Sequence, residues 1–233
     1  MSQANPTHFL IRSPNYRTLL AEGANFIEHR DVVLVDDYGN SAENETLQAQ
    51  QLGLVDLTPI ARAGFKGKQA MQWARTQGLT IGDTNNQAYI QNNGSIVARL
   101  ADTEILVLNN IQSGQNQCTP LEEEYEKNNP TQCYSVPRSD SSAWFMITGE
   151  FSSDMFAKIC GIDLRLKSFP NGSIAQTSIA RINGIIIRND INNTPAFYLL
   201  FDSASTVYMW SCLKDAFVEF DGAPVGDSAL SKL

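Results

Sequence analysis

The chain has 233 residues, 42% apolar and 18% charged, enough to bury a sizeable core and unlike an intrinsically disordered protein. Its formal charge is −8 and its 17 basic residues are scattered, so neither nucleic acid nor an anionic membrane is an expected partner. No apolar run approaches the ~20 residues that span a bilayer, and residues 1–21 lack the apolar stretch of a secretory signal; a cytoplasmic protein is expected.

Residues 1–51 read as an N-terminal arm, polar and irregular, with one strand at 32–35 stopped by Asp36-Asp37-Tyr38-Gly39-Asn40. A first α+β unit is expected over residues 52–135. Within it, 60–66 is strand-like, and 68–77 is helical with Ala70, Trp73 and Ala74 on one face and Gly78 as stop. Asn92-Asn93-Gly94 turns into strands at 96–100 and 104–108. A second helix opens with Thr119 as N-cap, Pro120 in the first position and Glu122 closing a capping box. Its acidic run, Glu122-Glu123-Glu124, is most simply a solvated face.

A second unit over residues 136–233 repeats that order. A strand at 143–148 leads to a helix capped by Ser152, with Met155, Phe156, Ile159 and Cys160 facing one way. Pro170-Asn171-Gly172 turns into strands at 174–182, 185–188 and 196–201. Asp202-Ser203 then starts a helix whose stripe is Met209, Cys212, Leu213, Ala216 and Phe220, ended by Asp221-Gly222. The sequence also echoes itself: Gly149 lies 82 positions after Gly67, and Arg181 lies 82 after Arg99, each in similar local text. The expected fold class is α+β, two pseudo-repeated strand-helix-strands-helix units with antiparallel sheets, packed as one compact domain.

Few groups carry chemistry. The two histidines, His8 and His29, both fall in the arm, so no zinc spacing and no Ser/His/Asp arrangement in the core is expected, and no metal or catalytic residue is assigned. Cys118, Cys133, Cys160 and Cys212 form no C-x-x-C pair and should stay reduced in a cytosol. Gly64-Phe65-Lys66-Gly67-Lys68 is too short for a phosphate loop, and Gln69 stands where Ser or Thr would hold Mg²⁺. Asp56, Asp102, Glu104, Asp140, Asp163 and Asp202 lie at element ends, where turn and cap roles come before catalytic ones. Trp144, Trp210 and Tyr208 could stack a flat ligand or serve as core or interface aromatics. Gln176, Arg181 and Arg138 are unusual near apolar strands; such an arginine could pair an acid across the two units or recognise a partner's carboxylate.

These residues carry a resemblance. Val55-Asp56-Leu57-Thr58-Pro59, with Arg62 and Gly64-Phe65-Lys66-Gly67, resembles the opening motif of the gamma subunit of heterotetrameric sarcosine oxidase. The second unit is closer still: Trp144-Phe145, Thr148-Gly149, Cys160-Gly161-Ile162-Asp163-Leu164, Phe169, Ala175-Gln176-Thr177, Ala180-Arg181, Pro195-Ala196-Phe197, Tyr208-Met209-Trp210 and Phe217-Val218-Glu219-Phe220. The likeness runs over residues 52–222 and places the chain near the folate-binding group that includes the glycine-cleavage T-protein. It implies two related α+β halves and an accessory role. FAD, FMN, NAD, zinc and the folate-dependent step would then belong to the alpha, beta and delta-type subunits.

Two departures bear on function. T-proteins continue into a third, barrel-like domain for which this sequence leaves only about a dozen residues past its last helix, and a Lys-Gly-Cys-Tyr-x-Gly-Gln folate signature is absent. The expectation is a non-catalytic gamma-type subunit of a complex that demethylates an N-methyl amino acid, either sarcosine or a relative such as N-methylglutamate. The alternative is a stand-alone tetrahydrofolate-binding protein or an aminomethyltransferase-like one-carbon transfer enzyme, with Asp56 or Asp140 near the pterin and Trp144 or Tyr208 stacking it. A vestigial folate pocket or partner interface would draw on Asp56, Arg62, Arg138, Asp140, Trp144, Gln176, Arg181, Tyr208 and Trp210.

Overall fold

A computed structural model describes residues 3–29, 32–112 and 115–233. The expected irregular arm is instead well organised: helix α1 (Tyr16–Ala21), an antiparallel hairpin of β1 (Asn25–His29) and β2 (Val32–Asp37), and helix α2 (Ala42–Leu52). Its apolar residues explain the difference. Leu19, Phe26, Val33 and Val35 are buried in the main core, so the segment lies on the rest of the chain. Helix α2 starts at Ser41, whose hydroxyl accepts from the Asn44 amide.

The chain continues through β3 (Gly53–Asp56), β4 (Arg62–Lys66), α3 (Ala70–Thr76), β5 (Gln87–Ile90), β6 (Ile96–Ala101), β7 (Glu104–Leu108), α4 (Cys118–Asn128) and β8 (Tyr134–Val136). It then runs through α5 (Arg138–Ser141), β9 (Ser142–Thr148), α6 (Ser152–Phe156), β10 (Ile174–Ile179), β11 (Ile182–Arg188), β12 (Ala196–Asp202), α7 (Thr206–Phe217), β13 (Ala223–Pro224) and α8 (Asp227–Leu230). One sheet has the order β5-β6-β7-β4-β8, the other β10-β11-β12-β9-β3-β13. Pairing is antiparallel except between β13 and β3. Each half gives its opening strand to the other: β3 precedes β4 but pairs with β9, whereas β8 precedes β9 but pairs with β4.

That exchange is symmetric down to single atoms. The Gln69 amide donates to the Gln132 carbonyl at 3.0 Å, and 82 positions later the Phe151 amide donates to the Gln51 carbonyl at 3.1 Å. Gly67 (φ +136°) and Gly149 (φ +106°) sit directly against those same carbonyls, so neither position has room for a side chain. The first echo is therefore a structural repeat. The second is not. Arg99 pairs with Ile105 and so with Phe65, and the matching ladder through Ile147 and Phe197 ends on Arg188. Arg181 occupies the β10–β11 turn, because the second half carries extra residues before that point.

Alternation along the strands builds four layers. On β9, Phe145 and Ile147 face the helical side with α6 and α7, while Trp144 and Met146 face the other sheet. On β7, Leu106 and Leu108 meet that central layer, and Ile105 and Val107 pack with α3 and α4. The expected face of α3 (Ala70, Trp73, Ala74) is buried, and of the expected α7 stripe Met209, Leu213 and Ala216 are buried, whereas Cys212 and, just past the helix, Phe220 are partly exposed. The cap of α4 differs from expectation: the helix begins at Cys118, and the Asn116 and Asn109 side-chain carbonyls accept its first amides, a reach that Thr119 lacks. Ser152 is likewise inside α6, its hydroxyl donating to the Gly149 carbonyl at 2.7 Å.

Candidate functional site

A polar cleft of about 530 Å³ lies where α5 meets the β10–β12 end of the six-stranded sheet. It joins two of the expected site residues, Arg138 and Gln176, with Ser142, Ser178, Asn183 and Asp202. The Arg138 Nη2 donates to Glu104 Oε1 at 2.6 Å, and Lys66 Nζ approaches Glu104 Oε2 at 2.9 Å. That arginine thus pairs with a carboxylate of the other half. Its Nε is buried without a partner among the described residues. The Gln176 amide donates to Asn86 Oδ1 and to the Leu100 carbonyl, both at 2.8 Å, hooking the edges of the two sheets together.

A second depression, about 400 Å³, is more apolar and lies between the N-terminal segment and the β3–β4 connection. Of the expected residues it contains Asp140, which is exposed and receives the Ser203 hydroxyl on its backbone carbonyl.

Asp56 and Arg62 form a separate, enclosed network. The Asp56 carboxylate accepts from the Ser13 hydroxyl and from the Thr58 amide. Burial pushes its pKa up, opposed by those hydrogen bonds and by the Arg62 charge. The Arg62 guanidinium is fully buried and spends its Nη donors on the carbonyls of Thr58, Ile60, Ser139 and Ser142. Burial lowers its pKa to about 10, so it stays charged at neutral pH.

The aromatic candidates are dispersed. Trp144 is wholly buried edge-on to Tyr198, and Trp210 is buried with its indole donating to Glu22. Neither offers a face to a ligand. Tyr208 is half exposed on α7 and donates to the Ala180 carbonyl at 2.9 Å; Arg181, exposed, sits in that same turn. Ser13 was not marked by the sequence, since nothing in an irregular-looking arm signals a partner for Asp56. The Cys118 thiol is pushed by burial to about 12 and Cys133 to about 11, the values of inert core thiols. Among the described residues no three His, Cys, Asp or Glu side chains converge as metal ligands, and no helix is long and apolar enough to cross a membrane.

Residues 15–233 match the family model of the GCVT N-terminal domain. The chain belongs to that family. Its fold is similar to that of the glycine cleavage system aminomethyltransferase T from Bartonella henselae, with 15% identity and a TM-score of 0.71 over 94% of this chain and 60% of that one. The chain thus spans about 60% of the length of that relative. It is also similar to a chain of the heterotetrameric sarcosine oxidase from Corynebacterium sp. U-96, with 17% identity and a TM-score of 0.63 over 78% of this chain and 93% of that one. At these identities the likeness is one of fold. Among curated protein sequences none matches. Membership in the GCVT N-terminal family agrees with the T-protein-like resemblance and with the α+β architecture of antiparallel sheets.

Proposed function

We propose that this chain is a non-catalytic, gamma-type subunit of a sarcosine oxidase-like complex that demethylates an N-methyl amino acid. The observation that carries the reading is the likeness to a chain of a heterotetrameric sarcosine oxidase, 93% of which this fold covers. The commitment of the ionisable groups supports it. Asp56 and Arg62 are locked in an enclosed network, Arg138 is paired with Glu104, and Trp144 and Trp210 are core residues. On this reading FAD, FMN, NAD and zinc reside in alpha, beta and delta-type partners. Co-expressing a tagged copy with its neighbouring genes tests it. A flavin-coloured protein should co-elute; a chain that elutes alone and monodisperse overturns the reading.

One observation favours a second reading, a stand-alone tetrahydrofolate-binding protein or one-carbon transfer enzyme. The first cleft has the volume of a small-molecule site, and the unpartnered Nε of Arg138 lies beside it. Calorimetric titration with tetrahydrofolate decides: micromolar binding abolished by Arg138→Gln supports it, and absence of heat removes it.

A further inference from the structure

Ala180 and Arg181, at the tip of the β10–β11 hairpin, both have left-handed backbone, a conformation that costs residues other than glycine. Such a turn persists only where its surroundings hold it. Here the Ala180 amide donates to the Ile159 carbonyl at 2.8 Å, and its carbonyl accepts the Tyr208 hydroxyl at 2.9 Å. Cys160 adds an antiparallel bridge to Ile179. The turn is therefore fixed by the segment after α6 and by α7, and the exposed Arg181 side chain starts from a rigid base.

Among the described arginines, Arg181 is the one with neither a hydrogen bond nor an ion pair. Apolar surface adjoins it. Ile159 and Ile182 are partly buried against the main core, while Tyr208 and Val207 on α7 and Ile162 after the Cys160 bridge are about half exposed. The local charge is positive: residues 155–185 carry Lys158, Arg165, Lys167 and Arg181 against Asp163 alone, net +3 in a chain of net −8. Asp163 is held by Arg165, and Glu219 by Lys158. Of the other carboxylates on adjoining elements, Asp202 accepts the Ala204 amide, Asp154 precedes Lys158 in α6, and Asp215 lies two turns beyond Tyr208 on α7. At physiological salt screening acts over about 8 Å, so a docking segment meets this local balance rather than the whole-chain charge.

We propose that the hairpin tip is the docking point for a partner-subunit segment that presents an aspartate or glutamate beside large apolar side chains. The carboxylate pairs with the Arg181 guanidinium, and the apolar side chains cover Tyr208 and Ile182. The turn then keeps its backbone strain because Asn-Gly, the cheaper pair, would lose the arginine. A second copy of this chain is the poorer occupant, since a two-fold contact would bring Arg181 against its own counterpart. The proposal rests on the reading of the chain as a subunit and names the surface by which it would assemble.

Two measurements separate the two ideas. The first titrates the full chain with a fluorescein-labelled Gly-Leu-Phe-Glu-Ile-Gly peptide and its Gly-Leu-Phe-Lys-Ile-Gly counterpart. The acidic peptide should bind and the basic one should not. Arg181→Gln keeps the turn and removes the charge; it should weaken binding at least about tenfold with an unchanged unfolding midpoint. Ala180→Asn with Arg181→Gly should also lose binding although it relieves the strain, a result that a damaged fold would not give. No binding of the acidic peptide, equal binding of the two peptides, or unchanged binding by either variant overturns the proposal. The second measurement co-purifies the tagged chain with its neighbouring gene products. A flavoprotein held by wild type and lost from Arg181→Gln supports the proposal. Its retention by both sinks the hairpin site and leaves the subunit reading standing. No flavoprotein on wild type, with the acidic peptide still bound, sinks the subunit reading and keeps the hairpin site. A dimer in sedimentation that Arg181→Gln converts to monomer makes the occupant a second copy and overturns the proposal.

Discussion

Ser13 donates its hydroxyl to the Asp56 carboxylate inside the protein and so fastens the N-terminal segment to the first strand of the core. Burial raises the Asp56 pKa above its unfolded value, so the native state holds that proton the more tightly. The sign follows by linkage. The contribution favours the fold below the ordinary aspartate range and is lost as pH rises through the raised folded value. Asp56→Asn keeps an acceptor for Ser13 and cannot ionise. Its denaturant midpoint should therefore fall less than that of wild type between about pH 4 and pH 8. Parallel pH profiles would reject the assignment. Asp56→Ala, which orphans the Ser13 hydroxyl, should cost about 1–3 kcal/mol at low pH and less as pH rises.

Gly149 is the position at which the exchanged strand β3 passes the end of β9. A Cβ there would lie 2.4 Å from the Gln51 carbonyl, on backbone at φ +106°. Gly149→Ala combines steric overlap with a left-handed strain and should cost about 3 kcal/mol, and Gly67→Ala against Gln132 a similar amount. Gly161 has nothing within 4 Å of a built Cβ, so Gly161→Ala should be within about 0.5 kcal/mol of wild type. Urea midpoints of the three variants check the ranking. A tolerated Gly149→Ala would mean that β3 can move away from β9.

What the sequence disclosed follows from which interactions are local. The β9 run and the α7 stripe were legible because their buried residues are apolar and fall at strand or helix spacing. Helix α2 was not. Its buried face is Glu45, Thr46, Ala49 and Leu52, and the Glu45 carboxylate is inside because it accepts the amides of Tyr38 and Gly226. No local pattern announces a glutamate whose second carboxylate oxygen is satisfied by Gly226, 181 positions away. The exchange of β3 and β8 was hidden for a related reason, since pairing across halves leaves no mark on strands this short. The same topology brings Arg138, Gln176 and Asn183 into one cleft, which their spacing does not suggest. Arg181 illustrates the converse: a textual repeat of Arg99 whose true counterpart, Arg188, differs in spacing but is likewise buried and keeps a backbone carbonyl and a carboxylate as partners.

The β10–β11 hairpin turns on Ala180 and Arg181, at φ +47° and +68°. Two consecutive left-handed residues between the paired Ile179 and Ile182 make the tight turn that normally selects Asn-Gly. Alanine has no side-chain compensation for that conformation, and left-handed backbone costs an ordinary residue roughly 1–2 kcal/mol. Replacing the pair by Asn-Gly (Ala180→Asn with Arg181→Gly) should therefore raise stability by about 1 kcal/mol, less whatever entropy glycine adds to the unfolded chain. A thermal unfolding scan reads the change. A lower midpoint would show that the Arg181 side chain contributes more than its backbone strain costs.

Arg62 gives the strongest expected loss of stability. Its guanidinium joins the β3–β4 connection, through Thr58 and Ile60, to the stretch around α5 that leads into β9, through Ser139 and Ser142. It therefore ties together the two connections that precede β4 and β9. Lysine offers three donors on a point charge and cannot span four carbonyls in a planar fork, so Arg62→Lys should cost about 2 kcal/mol. Arg62→Met removes all the donors, leaves those carbonyls without a partner and should cost about 3–5 kcal/mol. Because the clamp joins both halves, the loss should appear in amide exchange as faster opening of β3 and of residues 138–142 together. Opening confined to one of those segments would show that the arginine braces a single loop.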